Sequence, residues 1–242
     1  MTERDAVEPI SDPEELTPYL EALTKISRAI TSDSYLEDIL KLVVTVTAQV
    51  MNSKIVSLLL LDEKQEQLVI RATQSVSEEY NRKPPLKPGE GIAGRVAQTN
   101  RPLVVADVSQ EEEYKYKNIA EKEGLKSLLC VPLAVKGKVI GVLNCYTSVP
   151  HNFSQTEIDL LTNVANQAAV AIENTELMVK ARVIQEELET RKLVERAKDI
   201  LMGKLHVSGE EAYRRIQRQS MNSRKSMRTV AEAIILSSQL ER

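Results

Sequence analysis

Tryptophan is absent and phenylalanine occurs once, so seven tyrosines supply almost all the aromatic surface of this 242-residue chain. Its core has to be built from aliphatic side chains. The only cysteines are Cys130 and Cys145, with no CxxC pair, which argues against a disulfide scaffold or a thiolate zinc site. Histidine occurs only at 151 and 206, too few for an imidazole-rich metal centre. Long apolar runs are also missing. Leu58–Leu61 is typical of them, far below the roughly 20 residues of a membrane span. The opening MTERDAVEPISDPEEL is acidic and polar, unlike a secretory signal. Residues 1–15 are expected to be disordered, and the protein cytoplasmic.

Charge of one sign is scarce in one place. Ala212–Val230 holds Arg214, Arg215, Arg218, Arg224, Lys225 and Arg228 and no acid, although the whole chain carries −3. From Arg182 onward there are 13 basic and 9 acidic residues, a net of +4, which leaves −7 for residues 1–181. An acidic front and a basic tail point to two modules with different partners. If Gly209–Met221 is a helix, Arg214 and Arg218 share a face, with Arg215 and Tyr213 beside it, while Ala212, Ile216 and Ser220 make a less polar stripe. Guanidinium forks and one ring suit a loop of RNA with unstacked bases. A solvated charged face is the plainer alternative.

Taken in order, Thr17-Pro18 has the form of a helix start. A second helix carries Leu36, Ile39, Leu40, Val43, Val46 and Val50 at helical spacing. Lys54–Leu61 and Gln67–Thr73 form a predicted hairpin around Asp62–Gln65. Gly89, Gly91 and Gly94 lack both GK[ST] and GxGxxG spacing, so they are expected to open a short helix, with Gly94 allowing close packing. Pro102–Val105 is a short strand, and Ser109–Gly124 a polar loop and helix. Leu128–Val135 and Val139–Thr147 make a second hairpin, with Cys130 opposite or diagonal to Cys145. Those thiols are either a redox pair or buried and reduced; a reducing compartment favours the latter.

Ser154 and Glu157 form a capping-box pattern ahead of a stretch, Asn152–Met202, with no proline or glycine. One helix can run through it. Ile158, Leu161, Val164, Ala165, Ala168, Ala169 and Ile172 share an apolar face. Leu177, Ala181, Ile184 and Leu188 follow in coiled-coil rhythm, pointing to a homodimer. Beyond them lie a stripe of Leu193, Ala197, Ile200 and Leu201, a second capping box at Ser208 and Glu211, and a last helix with Met227, Val230, Ala231, Ile234 and Leu236. A three-helix bundle follows from this pattern.

Two resemblances fit these modules. Gly89–Gly94, Arg101-Pro102, Asp107, Gly124-Leu125, Ser127, Val131–Leu133, Gly141–Leu143, Phe153 and Ala165–Asn174 resemble the GAF family. Arg196–Lys198, Leu201-Met202, Ser208, Glu211–Tyr213, Met221-Asn222, Arg224, Met227 and Val230-Ala231 resemble the ANTAR family. The resemblance implies an α+β fold. A GAF sensor over 16–175, with a mostly antiparallel sheet flanked by helices, precedes a coiled-coil signalling helix over 176–190 and an all-α ANTAR bundle over 187–242. It also implies RNA binding that promotes transcription antitermination at paired stem-loops in nascent leader transcripts, with RNA polymerase involved only indirectly. Ala197, Lys198, Ala212, Tyr213, Arg214, Arg218, Arg224 and Lys225 become the candidate RNA contacts. Asp199 stands where many members have glycine and is expected on a solvated edge.

The GAF resemblance further implies a cavity roofed by about 107–126. Asn144 is followed by cysteine rather than lysine, the roof has no cysteine for a bilin, and neither histidine suits haem. No cofactor or metal is expected, and any small ligand is unidentified. No catalytic constellation stands out, so a non-enzyme is expected. A GAF-fold methionine sulfoxide reductase, a DNA-binding regulator and a protein-interaction module are the alternatives.

Overall fold

The computed structural model describes Thr24 and residues 36–62 and 64–240. The helix expected from Thr17-Pro18 and the N-terminal 15 residues lie outside these. The chain divides into two units, Met1–Thr175 and Glu176–Arg242.

The first unit contains α1 (Leu36–Val50), β1 (Ile55–Asp62), β2 (Gln67–Thr73), α2 (Glu78–Asn81), α3 (Gly91–Thr99), β3 (Leu103–Val105), α4 (Lys117–Lys122), β4 (Leu128–Val135) and β5 (Lys138–Tyr146). Five strands pair in the order β2-β1-β5-β4-β3. Each of these pairings is antiparallel. Both hairpins form where predicted. Asp62 Oδ1 accepts from the backbone N–H of Lys64 and Gln65 at 2.9 and 3.1 Å, which turns the chain into β2. Lys136 and Gly137, at φ 51° and 83°, make the two-residue turn between β4 and β5, so β5 begins one residue earlier than expected.

The sheet is covered on both sides, which is why β1 is apolar at nearly every position, Ser57 and the terminal Asp62 apart, rather than alternating. Val56, Leu58, Leu60, Leu129, Val131, Leu133, Leu143 and Cys145 pack against α1 and the first turns of the long helix. Ile55, Leu59, Leu128, Cys130, Val142 and Tyr146 face the other way, toward α3, Tyr80 and Tyr114. Gly94 earns its place by contact: a Cβ there would stand 2.3 Å from the Lys87 carbonyl oxygen.

Helix α5 runs from Gln155 to Leu205. Its start is a complete capping box. Glu157 N–H donates to Ser154 Oγ at 3.3 Å, and Ser154 N–H donates to Glu157 Oε2 at 2.7 Å. Glu157 Oε1 also lies 2.8 Å from His151 Nε2. Burial opposes ionisation of Glu157, yet the Ser154 N–H and His151 together hold its carboxyl below the usual range.

In the second unit, α5 is followed by α6 (Gly209–Ser223) and α7 (Met227–Leu240). Val194, Ala197, Ile216, Val230, Ala231 and Ile235 form its core, with Leu193, Ile200, Leu201, Met227 and Ile234 at the margin. Leu236, expected in this stripe, is 58% exposed, and Ile235 takes its place. The second capping box is only half made. Ser208 Oγ accepts from Glu211 N–H at 3.2 Å, but the Glu211 carboxylate turns to Arg215 instead.

Candidate nucleic-acid interface and sensor cavity

The basic stretch lies on α6, the turn after it and the start of α7, and the structure divides its six cations into two groups. Arg214 pairs with Glu210 at 2.6 Å and Arg215 with Glu211 at 3.0 Å. Arg228 reaches Glu232 at 3.0 Å and Glu189 at 3.6 Å. The absence of acids within 212–230 concealed these partners, because they lie just outside the stretch, one helical turn before Arg214 and Arg215 or one turn after Arg228, or on α5. Arg218, Arg224 and Lys225 are exposed and form no salt bridge among the described residues. These three, at the C-terminal end of α6 and just beyond it, carry the uncompensated positive charge.

The remaining predicted contacts fall in different places. Ala197 and Ala212 are fully buried in the bundle. A side chain without solvent contact cannot touch RNA, so both are packing positions that let helices approach. This corrects the expectation for those two. Lys198 is half-buried and paired with Glu195. Tyr213 is 42% exposed. Five positions separate it from Arg218, so the two stand about 140° apart around the helix and do not share one face. Asp199 is exposed, on the solvated side as expected. Arg224 adopts φ 53°, and its N–H donates to the Met221 and Ser220 carbonyls, closing α6. The left-handed conformation fixes where its side chain departs from the helix.

In the first unit, a cavity of about 40 Å³ open to water lies on the sheet face opposite α1. Ser57, Asn144 and Tyr146 form its floor, α3 and Pro84 a wall, and Tyr114–Tyr116 its roof. The Ser57 and Tyr80 hydroxyls are 2.9 Å apart. Tyr146 meets Tyr80 and Tyr114 edge-on, at centroid distances of 6.2 and 6.3 Å. Burial raises all three phenols, Tyr114 to about 12 and Tyr80 and Tyr146 further. The roof is tied down by Tyr116, which donates to the Pro84 carbonyl at 2.6 Å, and by the ion pairs Lys115–Glu90 and Arg95–Glu113.

Comparison with known proteins places both units. The GAF-domain model matches residues 34–173 and the ANTAR-domain model residues 182–235. The chain belongs to the GAF family and carries an ANTAR domain after its GAF domain. The GAF domain from a phosphoenolpyruvate-protein phosphotransferase of Coxiella burnetii superposes with a TM-score of 0.62 at 26% identity, covering 68% of this chain and 98% of that one. The nitrogen fixation protein AnfA of Azotobacter vinelandii is 27% identical over 64% of this chain and 30% of its own length. The transcriptional regulatory protein PdtaR of Mycobacterium tuberculosis is 43% identical over 63 residues, 26% of this chain and 31% of PdtaR. This GAF–ANTAR chain thus spans about a third of the length of these two curated relatives.

Among the described residues no helix is long and apolar enough to cross a membrane. The two thiols of the GAF domain do not form a redox pair. Cys130 sits opposite Asn144, and Cys145 opposite Leu129. This offset of one residue places the sulfurs on opposite faces of the sheet. Burial lifts the Cys145 thiol to about 12 and that of Cys130 higher, which leaves neither with thiolate character near neutral pH. The sequence reading missed Lys83 as a site residue. The signal was available: a lysine beside Pro84-Pro85, three residues after Tyr80.

Proposed function

We propose that this GAF–ANTAR protein is an RNA-binding regulator that promotes transcription antitermination at stem-loops in nascent leader RNA, gated by its GAF domain. The observation that carries the reading is the coincidence of an ANTAR domain with the uncompensated cluster Arg218, Arg224 and Lys225. The guanidinium groups of Arg214, Arg215 and Arg228, already matched by Glu210, Glu211 and Glu232, would have to leave exposed pairs first, a modest penalty of about 0–1 kcal/mol each. The free three meet phosphate at no such cost. Tyr213, exposed on the flank of α6, supplies a ring for an unstacked base.

The regulator acts as a homodimer through α5. Val170, Leu177 and Ile184 recur every seven residues at 44, 55 and 65% exposure, with Leu188 at 52%. Apolar side chains at this period on a helix surface fit a second copy of the same helix. Two copies present two bundles, matching paired stem-loops. The separated, buried thiols favour a non-enzymatic role over a sulfoxide reductase. Titrating the full chain with a labelled RNA hairpin pair, with duplex DNA as competitor, tests the proposal. Tight, salt-sensitive hairpin binding that duplex DNA does not displace is expected. Equal affinity for both would overturn the RNA reading in favour of a DNA-binding regulator.

A further inference from the structure

The GAF cavity is lined by a donor and an acceptor, and neither is hydrogen-bonded among the described residues. The donor is Lys83. Its Nζ stands 3.6 Å from the Tyr80 ring centroid, 5.4 Å from that of Tyr116 and 5.5 Å from that of Tyr146. It forms no salt bridge among the described residues. The acceptor is Asn144. It lies on the same face of β5 as Val142 and Tyr146, lines the cavity floor and is 95% buried, and its Oδ1 has no hydrogen-bond partner among the described residues. A buried carbonyl oxygen of this kind calls for an N–H or O–H.

We infer that the cavity receives a small carboxylate that also carries a hydrogen-bond donor, its anionic end beside Lys83 and its donor on Asn144 Oδ1. The inference rests on the GAF domain acting as the sensor. Charge excludes a cationic ligand, because the aromatic cage already holds the Lys83 ammonium. The free space is small: about 40 Å³ open to water is room for roughly three waters. That suits an acid of two or three carbons. The ring faces beside the site pack against its short aliphatic part.

Binding is coupled to a proton. Burial pushes the Lys83 ammonium down to about 7, with Glu123 opposing. Glu123 is the acid that acts on Lys83; the other charges at the cavity are Lys115 and its partner Glu90. Tyr80, Tyr114, Tyr116 and Tyr146 are all raised to about 12 or beyond, so they stay neutral through the working range. An anion beside Lys83 raises its pKa. Below pH 7 the free protein already holds that proton and affinity is flat. Above pH 7 the proton must be taken up, and affinity falls by up to about tenfold per pH unit.

The test is a nuclear magnetic resonance titration of the full chain with glycolate, acetate and glycolamide at pH 6 and pH 8, following the amides of Lys83, Lys115 and Asn144. Glycolate is expected to bind, about tenfold more weakly at pH 8 than at pH 6. Acetate, with no donor, and glycolamide, with no charge, should each bind at least about tenfold more weakly than glycolate at pH 6. Lys83→Met keeps the apolar stem in the cage and should remove the pH dependence along with most of the affinity. Asn144→Leu should bring glycolate down to the level of acetate. No glycolate binding at pH 6, pH-independent binding, or unchanged binding by Lys83→Met overturns the inference. Hairpin binding measured on the same protein separates the two readings. A chain that binds RNA but not glycolate loses only the ligand assignment. One that binds glycolate but not RNA loses the regulator assignment alone.

Discussion

Arg224 offers a way to remove charge without removing structure. At φ 53° it holds a left-handed conformation that costs a non-glycine residue about 1–2 kcal/mol. Its N–H and that of Lys225 still satisfy the end of α6, the Lys225 N–H donating to the Ser220 carbonyl at 3.2 Å. Arg224→Gly keeps both backbone bonds and relieves the strain. Glycine's extra freedom in the unfolded chain takes back about 0.5–1 kcal/mol. Stability should therefore hold or rise by up to about 1.5 kcal/mol. RNA binding should move the other way. One lost phosphate contact lowers the slope of log affinity against log salt by about 0.7. At 0.1 M salt that is about fivefold in affinity, or about 1 kcal/mol. Urea unfolding and fluorescence anisotropy across about 50 to 300 mM salt measure the two effects on one preparation. A variant that loses stability, or one that binds hairpin RNA with an unchanged slope, would refute the reasoning.

The remaining predictions address packing, capping, sensing of acid and assembly. Gly94→Ala drives a methyl group to 2.3 Å from the Lys87 oxygen and should destabilise the GAF domain by about 3 kcal/mol in chemical denaturation. Ser154→Ala removes a made cap and should cost about 1 kcal/mol. Because the Glu157 carboxyl is held below its usual range, its contribution is complete above the ordinary carboxylate pKa. It is lost as pH falls through the folded value, so Glu157→Gln should flatten the acid limb of the stability profile. Tyr213→Ala should leave the melting temperature unchanged and reduce discrimination between hairpin loop sequences, read by competition binding. Ile184→Lys should shift the chain to monomer in light scattering; a persistent dimer would remove the heptad of α5 as its interface.

Much of the architecture was legible in the chain because local signals agreed with one another. Alternating and continuous apolar runs placed both hairpins, and Ser154 with Glu157 marked the start of α5. What could not be read were relations fixed only in three dimensions. The carboxylates that neutralise Arg214, Arg215 and Arg228 lie outside the acid-free stretch. Family resemblance nominated Ala197 and Ala212 as contacts, but their small size serves helix packing. Strand register, which a count of residues cannot give, sent Cys130 and Cys145 to opposite faces. Lys83 did not stand out because two of the three tyrosines of its cage, Tyr116 and Tyr146, lie far along the chain.

RNA binding by this chain turns most directly on the three uncompensated cations Arg218, Arg224 and Lys225. Hairpin affinity of the full chain, measured against salt for the natural sequence and for Arg218→Ala, Arg224→Gly and Lys225→Ala combined, puts it to the test. The slope should fall by about 2, at about 0.7 for each contact, while the protein remains folded. An identical slope in the two proteins would show that RNA, if bound at all, is held elsewhere.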